Sequence, residues 1–279
     1  MKDLYRRLVV SSISLVVLGF LLYFSHHFLF QYVVVAAIAA LAATALWEYG
    51  QLVKAKKGRM VLPALMGMSV LQVFAFFIAA NYPAYGSLPL LTFLFGFLLV
   101  FALHFGDKEG AVINLAVSSF GLIYVAVPMG MLVGILYCPY VDGAWWIVYL
   151  LVVTKITDIG AYFAGNLWGR HRLAPTISPK KTVEGAIFGL ICAIAASYAL
   201  NKLSGNSTPF VEGSLTWMYL GLILGLVGQF GDLSESLLKR DANKKDSNVL
   251  PGLGGVLDFV DSILFNAAIL YIYIYFIML

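Results

Sequence analysis

The sequence predicts an all-α, polytopic membrane protein with about nine transmembrane helices. Three observations point there. Of 279 residues, 61% are hydrophobic and only 11% are charged, where a soluble domain carries roughly 25% charged residues; mean hydropathy is +0.90. Apolar runs of the ~20 residues that cross a bilayer follow one another along the chain. If those runs alternate across a membrane, 16 of the 18 Lys and Arg fall on one side.

In order, the first helix, 6–24, follows the basic start MKDLYRR. It has the flank and apolar run of a signal peptide, but no small-residue cleavage site follows, so it is expected to remain as a membrane helix. The second, 28–53, stops at KAKKGR (54–59), and the third, 61–80, at NYPAYGSLP (81–89), where Pro and Gly break the pattern. The fourth, 88–105, stops at GDKEG (106–110). The fifth and sixth cover 111–137 and 143–166. The seventh, 183–202, opens after the polar loop GRHRLAPTISPKKTVEG (169–185) and closes at NKLSGNSTPFVEGS (201–214). The eighth and ninth, 214–239 and 255–278, flank a second polar loop. No fixed-period repeat, low-complexity tract or room for a soluble domain of ~100 residues is present.

The orientation follows from positive charge. With the amino terminus inside, the cytoplasmic segments are 1–5 with Arg6 and Arg7, 54–60, 106–110, 167–182 and 239–254, which hold the 16 basic residues. Lys202 falls outside, Lys155 lies within a span, and the end YIYIYFIML is outside. Lys54, Lys56, Lys57 and Arg59 read as charges that set topology. Tyr271, Tyr273, Tyr275 and Phe276 read as an interfacial aromatic belt. Cys138 and Cys192 have neither disulfide nor zinc spacing and read as small core residues. His26, His27, His104 and His171 show no ligand spacing and read as interface residues. Gly185/Gly189 and Gly221/Gly225 are small-xxx-small pairs that predict close helix packing.

Charge inside the spans is costly and faces a bundle interior or a wet cavity. The residues concerned are Glu48, Lys155, Asp158, Asp232, Glu235, Asp258 and Asp261, with Glu184 at a helix start. Under this topology each is expected near a cytoplasmic helix end, away from the midplane. Residues 229–262 alone hold ten of the 32 charged side chains. Lys155/Asp158, Asp232/Glu235 and Asp258/Asp261 are each three apart, hence on one helical face. Carboxylates suit Mg²⁺, which takes one or two of them plus substrate phosphates, and lysines with glycine-loop amides can neutralise further phosphate oxygens. Ser178-Pro-Lys-Lys-Thr182 ends at a helix start, where free amides favour anions. The GLGG of the second loop is no Walker A motif, because no Gly-Lys-Ser/Thr follows.

These residues carry a resemblance. Ser236-Leu-Leu-Lys239-Arg240, Lys245-Asp246 and Pro251-Gly252-x-Gly254-Gly255-x-x-Asp258-x-x-Asp261 resemble the signature of phosphatidate cytidylyltransferases, also called CDP-diacylglycerol synthases. Gly231-Asp232-Leu-x-Glu235-Ser236, Asp158-x-x-Ala161-Tyr162 and Ser178-Pro-Lys180-Lys181-Thr182-x-Glu184-Gly185 are similar to further motifs of that family. The likeness covers roughly 150–265. Two positions depart from it: the family usually has His before the paired glycines and Arg after the next Asp, where this chain has Leu253 and Phe259. The loop between Asp246 and Pro251 is also one residue shorter.

The resemblance implies nine-helix subunits, a homodimer, and a polar cavity open to the cytoplasm and sideways to membrane lipid. The implied reaction is Mg²⁺-dependent: CTP and phosphatidic acid give CDP-diacylglycerol and pyrophosphate. A second, monovalent cation is compatible with it, and nucleic acid is not an expected partner. By position, Asp232 and Asp258 match the metal-centre aspartates. Ser236, Lys239, Lys245 and Asp246 match the active-site signature. Asp158, Ser178, Lys180, Lys181, Glu184, Arg240, Gly254, Gly255 and Asp261 match substrate-binding positions. The chain then divides into N-terminal helices over 1–110, without a specific motif, and a catalytic region over 111–279 with cytoplasmic loops 167–182 and 239–254. The expected place is a bacterial inner membrane. Two other readings compete: a CTP-dependent polyprenol or lipid kinase, which would leave CDP, and a secondary transporter, which would place its charges near the midplane between repeated halves.

Overall fold

The computed structural model describes residues 19–107, 109–204, 214–244 and 255–278. Eight long helices occupy them: α1 (Phe30–Ala55), α2 (Leu62–Asn81), α3 (Leu88–His104), α4 (Ala111–Leu136), α5 (Gly143–Trp168), α6 (Val183–Leu203), α7 (Thr216–Asp241) and α8 (Val256–Ile272, continued to Met278 by a π-helical stretch). They match eight of the nine expected spans to within about two residues at each end. The expected first helix lies mostly outside the described residues; its last turn, from Gly19, is helical within them. Seven of the helices are long and apolar enough to cross a membrane, and α7 is set apart by the charges in its last three turns.

The helices begin where they do for local reasons. Pro63 and Pro89 occupy the first turns of α2 and α3, where a missing N–H costs nothing. Asp142 caps α5 by accepting from Trp145 N–H, and Thr182 caps α6 by accepting from Gly185 N–H. α4 contains a π-helical segment, Leu122–Ala126, just before Pro128.

α8 is the central element. It packs on α7, α5, α4 and α1, with Leu257, Leu264, Ala267 and Leu270 fully buried. Polar bonds tie the bundle where apolar packing alone gives no direction. Asn266 donates to Thr154 Oγ1 (2.8 Å), linking α8 to α5. Tyr149 and Ser197 share a 2.6 Å bond, and Ser197 Oγ donates to Trp217 O, linking α5, α6 and α7.

The small-residue pairs act inside the subunit. A Cβ at Gly185 would lie 2.6 Å from Ala161 O, and one at Gly189 would lie 2.9 Å from Thr157 O. Backbone thus meets backbone between α5 and α6, which only glycine allows. Gly221 and Gly225 sit in the same way against Ser197 and Ala193 of α6.

Several expectations change. The loop 167–182 is not irregular throughout: Arg172–Ala174 (β1) and Ser178–Thr182 (β2) form a small antiparallel hairpin, with Arg172 opposite Thr182. The aromatic belt is partly internal, because Tyr271 stacks on Tyr275 and packs edge-on against Phe76, while Tyr275 donates to Gly134 O. Lys56 and Arg59 do more than set topology. Lys56 pairs with Asp241, and Arg59 with Asp107, whose side chain is only 5% exposed. His104 is buried at the end of α3, its Nδ1 2.7 Å from Val100 O.

Candidate active site

The site is built around the amino end of α8. That end is recessed. Val256 N–H donates to Glu48 Oε1 (3.0 Å) and Leu257 N–H to Glu48 Oε2 (2.7 Å). Glu48 stands two turns before the end of α1, so α8 begins roughly 10 Å beneath that end. The walls rising past it are α1 and α7, whose ends are joined by the Lys56–Asp241 ion pair (2.9 Å).

On α7, Glu235 and Lys239 are one turn apart and form an ion pair. The same Lys239 ammonium donates to Asp258 Oδ1 of α8 at 2.8 Å. Glu235 is buried, with a side chain 1% exposed, whereas Asp258 is 27% exposed. One lysine therefore bridges a closed carboxylate and an open one.

Asp232, one turn deeper on α7, pairs with Lys181 at the end of β2. The hairpin is placed for this contact by three others. Arg240 Nε donates to Ile177 O (3.1 Å). Glu184 accepts from Arg170 N–H (3.1 Å) and His171 N–H, and its Oε1 lies 2.6 Å from His171 Nδ1. Thr182 anchors the strand to α6 by its cap. Because successive strand residues point to opposite faces, Lys181 turns inward to Asp232 while Lys180 is exposed.

A third helix completes the cluster. On α5, Asp158 lies 3.8 Å from Lys155 and interacts electrostatically with Asp232 and Lys181. Asp261 of α8 interacts with Asp232 and Lys155, and its Oδ1 accepts from Ser262 Oγ (3.0 Å). Close approach of α7 and α8 brings these acids together: a Cβ at Gly231 would lie 2.9 Å from Asp261 O. Lys155 Nζ also lies 5.3 Å from the centre of the Phe259 ring. From the π-helical segment of α4, Tyr124 enters the field of Glu235, Asp261 and Asp258.

Asp158, Lys181, Asp232, Lys239, Asp258 and Asp261, all singled out in the sequence, thus come to one recess. Arg240 and Glu184 position the hairpin, Ser178 opens β2 half-buried, and Ser236 is half-buried on α7. Gly255 is the residue before the first turn of α8. Lys245, Asp246 and Gly254 lie outside the described residues, as does Leu253. Lys155 and Asp158 correct the expectation that every charge sits near a helix end, because they stand about midway along the 26 residues of α5. Sequence reasoning assigned no role to Glu48, Lys155, Glu235 or Tyr124. The first three carried a signal, charge inside an apolar run; Tyr124 carried none.

The donor set fits an oxygen-preferring cation. Asp232 and Asp258 are partly open carboxylates, each already facing a lysine ammonium. Their oxygens therefore point to positions that positive charge can take. Among the described residues, no group of three or more His, Cys, Asp or Glu is disposed to hold a metal by itself. Two carboxylates completed by substrate phosphates is the way Mg²⁺ is commonly held in nucleotide enzymes.

Comparison with known proteins gives one consistent result. The profile of the Cytidylyltransferase family matches residues 5–277. A phosphatidate cytidylyltransferase of Chlamydia pneumoniae is 33% identical over 98% of this chain and 92% of its own length. That of Chlamydia trachomatis serovar D is 34% identical over 97% and 92%. That of Staphylococcus aureus is 44% identical over a shorter stretch, 44% of this chain and 46% of its own length.

Proposed function

The chain belongs to the cytidylyltransferase family, and from that premise we propose that it transfers the cytidylyl group of CTP to phosphatidic acid, giving CDP-diacylglycerol and pyrophosphate. The observation that carries this reading is the recess at the amino end of α8. Lysines from a hairpin and two helices there face carboxylates from three helices, inside an apolar bundle. A membrane-embedded phosphate and a polyanionic nucleotide can both reach such a place.

In the reaction, an oxygen of the phosphatidate phosphate attacks the α-phosphorus of CTP. The bond from that phosphorus to the bridging β-oxygen breaks, and pyrophosphate leaves with the electron pair. The nucleophile is already an anion, so no strong general base is required. The difficulty is bringing two anions together, and fixed positive charge lowers that barrier. Lys181 supplies it from the hairpin and Lys239 from α7, while Lys180 and Arg240 are assigned to the substrate by their match to the family motifs. Asp232 and Asp258 would hold Mg²⁺, with Lys181 and Lys239 released to the phosphates. When bound, the metal neutralises phosphate charge and acts as a Lewis acid. Ser236, Lys245 and Asp246, with Gly254 and Gly255, are assigned to the nucleotide by their match to the family signature, and Asp158 and Asp261 to the substrate side of the same cluster.

The same proposal places catalysis in 111–279 of a homodimer, in a bacterial inner membrane with the recess facing the cytoplasm. The distribution of Lys and Arg supports that orientation, and the bacterial relatives support that membrane; the dimer rests on the family resemblance. Purified protein incubated with CTP, Mg²⁺ and phosphatidic acid is expected to release pyrophosphate and form CDP-diacylglycerol. Release of CDP would make it a kinase, and turnover of neither substrate would overturn the assignment.

A further inference from the structure

Glu48 lies on α1, far in sequence from every motif, yet it holds the amino end of the helix that carries Asp258 and Asp261. Its side chain is buried, the residue being 1% exposed, and its two carboxylate oxygens each accept one amide of the first turn of α8, at 3.0 and 2.7 Å. A helix leaves its first amides without internal partners, and its amino end carries partial positive charge. Both needs are met here by one residue from another helix.

The local sequence explains why a distant residue is used. The residue before the first turn is Gly255, which has no side chain to serve as a cap. Asp258 stands in the third position of the helix, where an acidic side chain commonly turns back to cap its own backbone. Here its Oδ1 accepts from Lys239 Nζ at 2.8 Å. A buried carboxylate is stable only when fully compensated, and two charge-assisted bonds to an oriented helix end compensate Glu48.

We propose that Glu48 is a positioning residue: by capping α8 from α1 it fixes the depth and direction of the first turn, and so sets where Asp258 meets Lys239 and substrate. The kinetic half of this inference rests on the function proposed above; the structural half does not.

The test compares Glu48→Gln and Glu48→Ala with wild type, as full-length protein in mixed micelles. Glu48→Gln keeps one acceptor but turns an amide N–H₂ toward the second backbone donor; Glu48→Ala removes both acceptors. Hydrogen–deuterium exchange over 255–260 is expected to accelerate in Glu48→Ala and less in Glu48→Gln, with exchange over 263–272 unchanged. With CTP, Mg²⁺ and phosphatidic acid, kcat is expected to fall roughly 10- to 100-fold, the range seen when a supporting residue is lost. KM for phosphatidic acid should stay within about twofold. Wild-type exchange at 255–260 in Glu48→Ala would overturn the cap. Faster exchange throughout the bundle with unchanged kcat per folded molecule would make Glu48 a general stabiliser, and would overturn the positioning role. If wild type forms no CDP-diacylglycerol, the functional reading fails, while the exchange measurement still decides the cap.

Discussion

Lys239 Nζ lies 2.8 Å from Asp258 Oδ1 and ties α7 to the first turn of α8. The same ammonium is the ion-pair partner of the buried Glu235. Removing it therefore has two consequences that can be separated. Lys239→Ala takes the cation from the neighbouring Glu235 and Asp258 carboxyl groups and strands their negative charge in an apolar site, and breaking a buried pair from one side costs about 3–5 kcal/mol. A marked fall in melting midpoint is expected. Adding Glu235→Gln removes the stranded charge and should recover much of that stability. Activity should not return, because the cation facing Asp258 is still absent. Thermal melts and turnover of the two variants check this; recovery of turnover in the double variant would show that Lys239 serves folding alone.

The close contact of α5 and α6 makes a second prediction, one about stability. Gly185→Ala places a methyl group 2.6 Å from a backbone oxygen of α5, which cannot move as a side-chain tip can. The helices must part, at about 1–3 kcal/mol for overpacking of this kind. Gly67 of α2 is the control: a Cβ there meets nothing within 4 Å. Gly67→Ala is expected to be neutral or stabilising, since glycine weakens a helix interior. Melting midpoints of both variants in one detergent would settle it, and equal effects would remove the packing argument.

Most of the helical architecture was legible in the sequence, because the spacing of long apolar runs is a one-dimensional signal. The ends of α1 to α8 lie where Pro, Gly and charge clusters put them. The acids and lysines of the recess were legible as costly charge in apolar runs. Their pairing was not. Nothing along the chain says that Lys181 meets Asp232, or that Asp258 takes Lys239, because these contacts depend on how three helices and a hairpin pack. The hairpin itself was hidden, since SPKKT has little hydrophobic alternation. Glu48 was visible as an oddity without a role, because its partners are backbone amides about 210 residues away, and amides carry no sequence signal.

Orientation gives a third prediction. Thr176 sits in the turn of the hairpin and is exposed. In protein whose Cys138 and Cys192 are replaced by Ala, Thr176→Cys should resist an impermeant thiol reagent in intact cells and react once the membrane is opened. Asn243→Cys, just past α7, should behave alike. Labelling of either from outside would refute the topology and the route by which CTP arrives.

Phe259 stands where the resemblance led Arg to be expected, and the structure brings a cation close to it from α5. Lys155 Nζ lies 5.3 Å from the ring centre and 3.8 Å from Asp158. Lys155→Met is expected to lower kcat/KM for phosphatidic acid roughly 10- to 100-fold, the value of a charge-assisted contact. Phe259→Arg added to that variant should restore part of the loss, since it returns a cation to the recess. Unchanged kinetics in Lys155→Met would show that Lys155 only balances Asp158.

The last prediction concerns the metal. Asp232 and Asp258 face different lysines, on different elements, and each is open enough for a ligand to replace that lysine. Without a cation, carboxylates gathered in low dielectric repel and tend to take up protons; with Mg²⁺ and phosphates between them, the same charges become favourable. Asp→Asn at either position keeps shape and hydrogen bonding but removes charge. Folding should survive, while turnover drops by ~10²-fold or more. The Mg²⁺ concentration for half-maximal activity should rise in both Asn variants. Lys181→Met is the contrast, because it removes a phosphate partner and spares the carboxylates. Its KM for CTP should rise while its Mg²⁺ requirement stays near wild type. Activity against Mg²⁺ concentration, measured for all three in monodisperse protein, distinguishes the roles. Near-native turnover with an unchanged Mg²⁺ requirement in both Asn variants would remove the metal from this site.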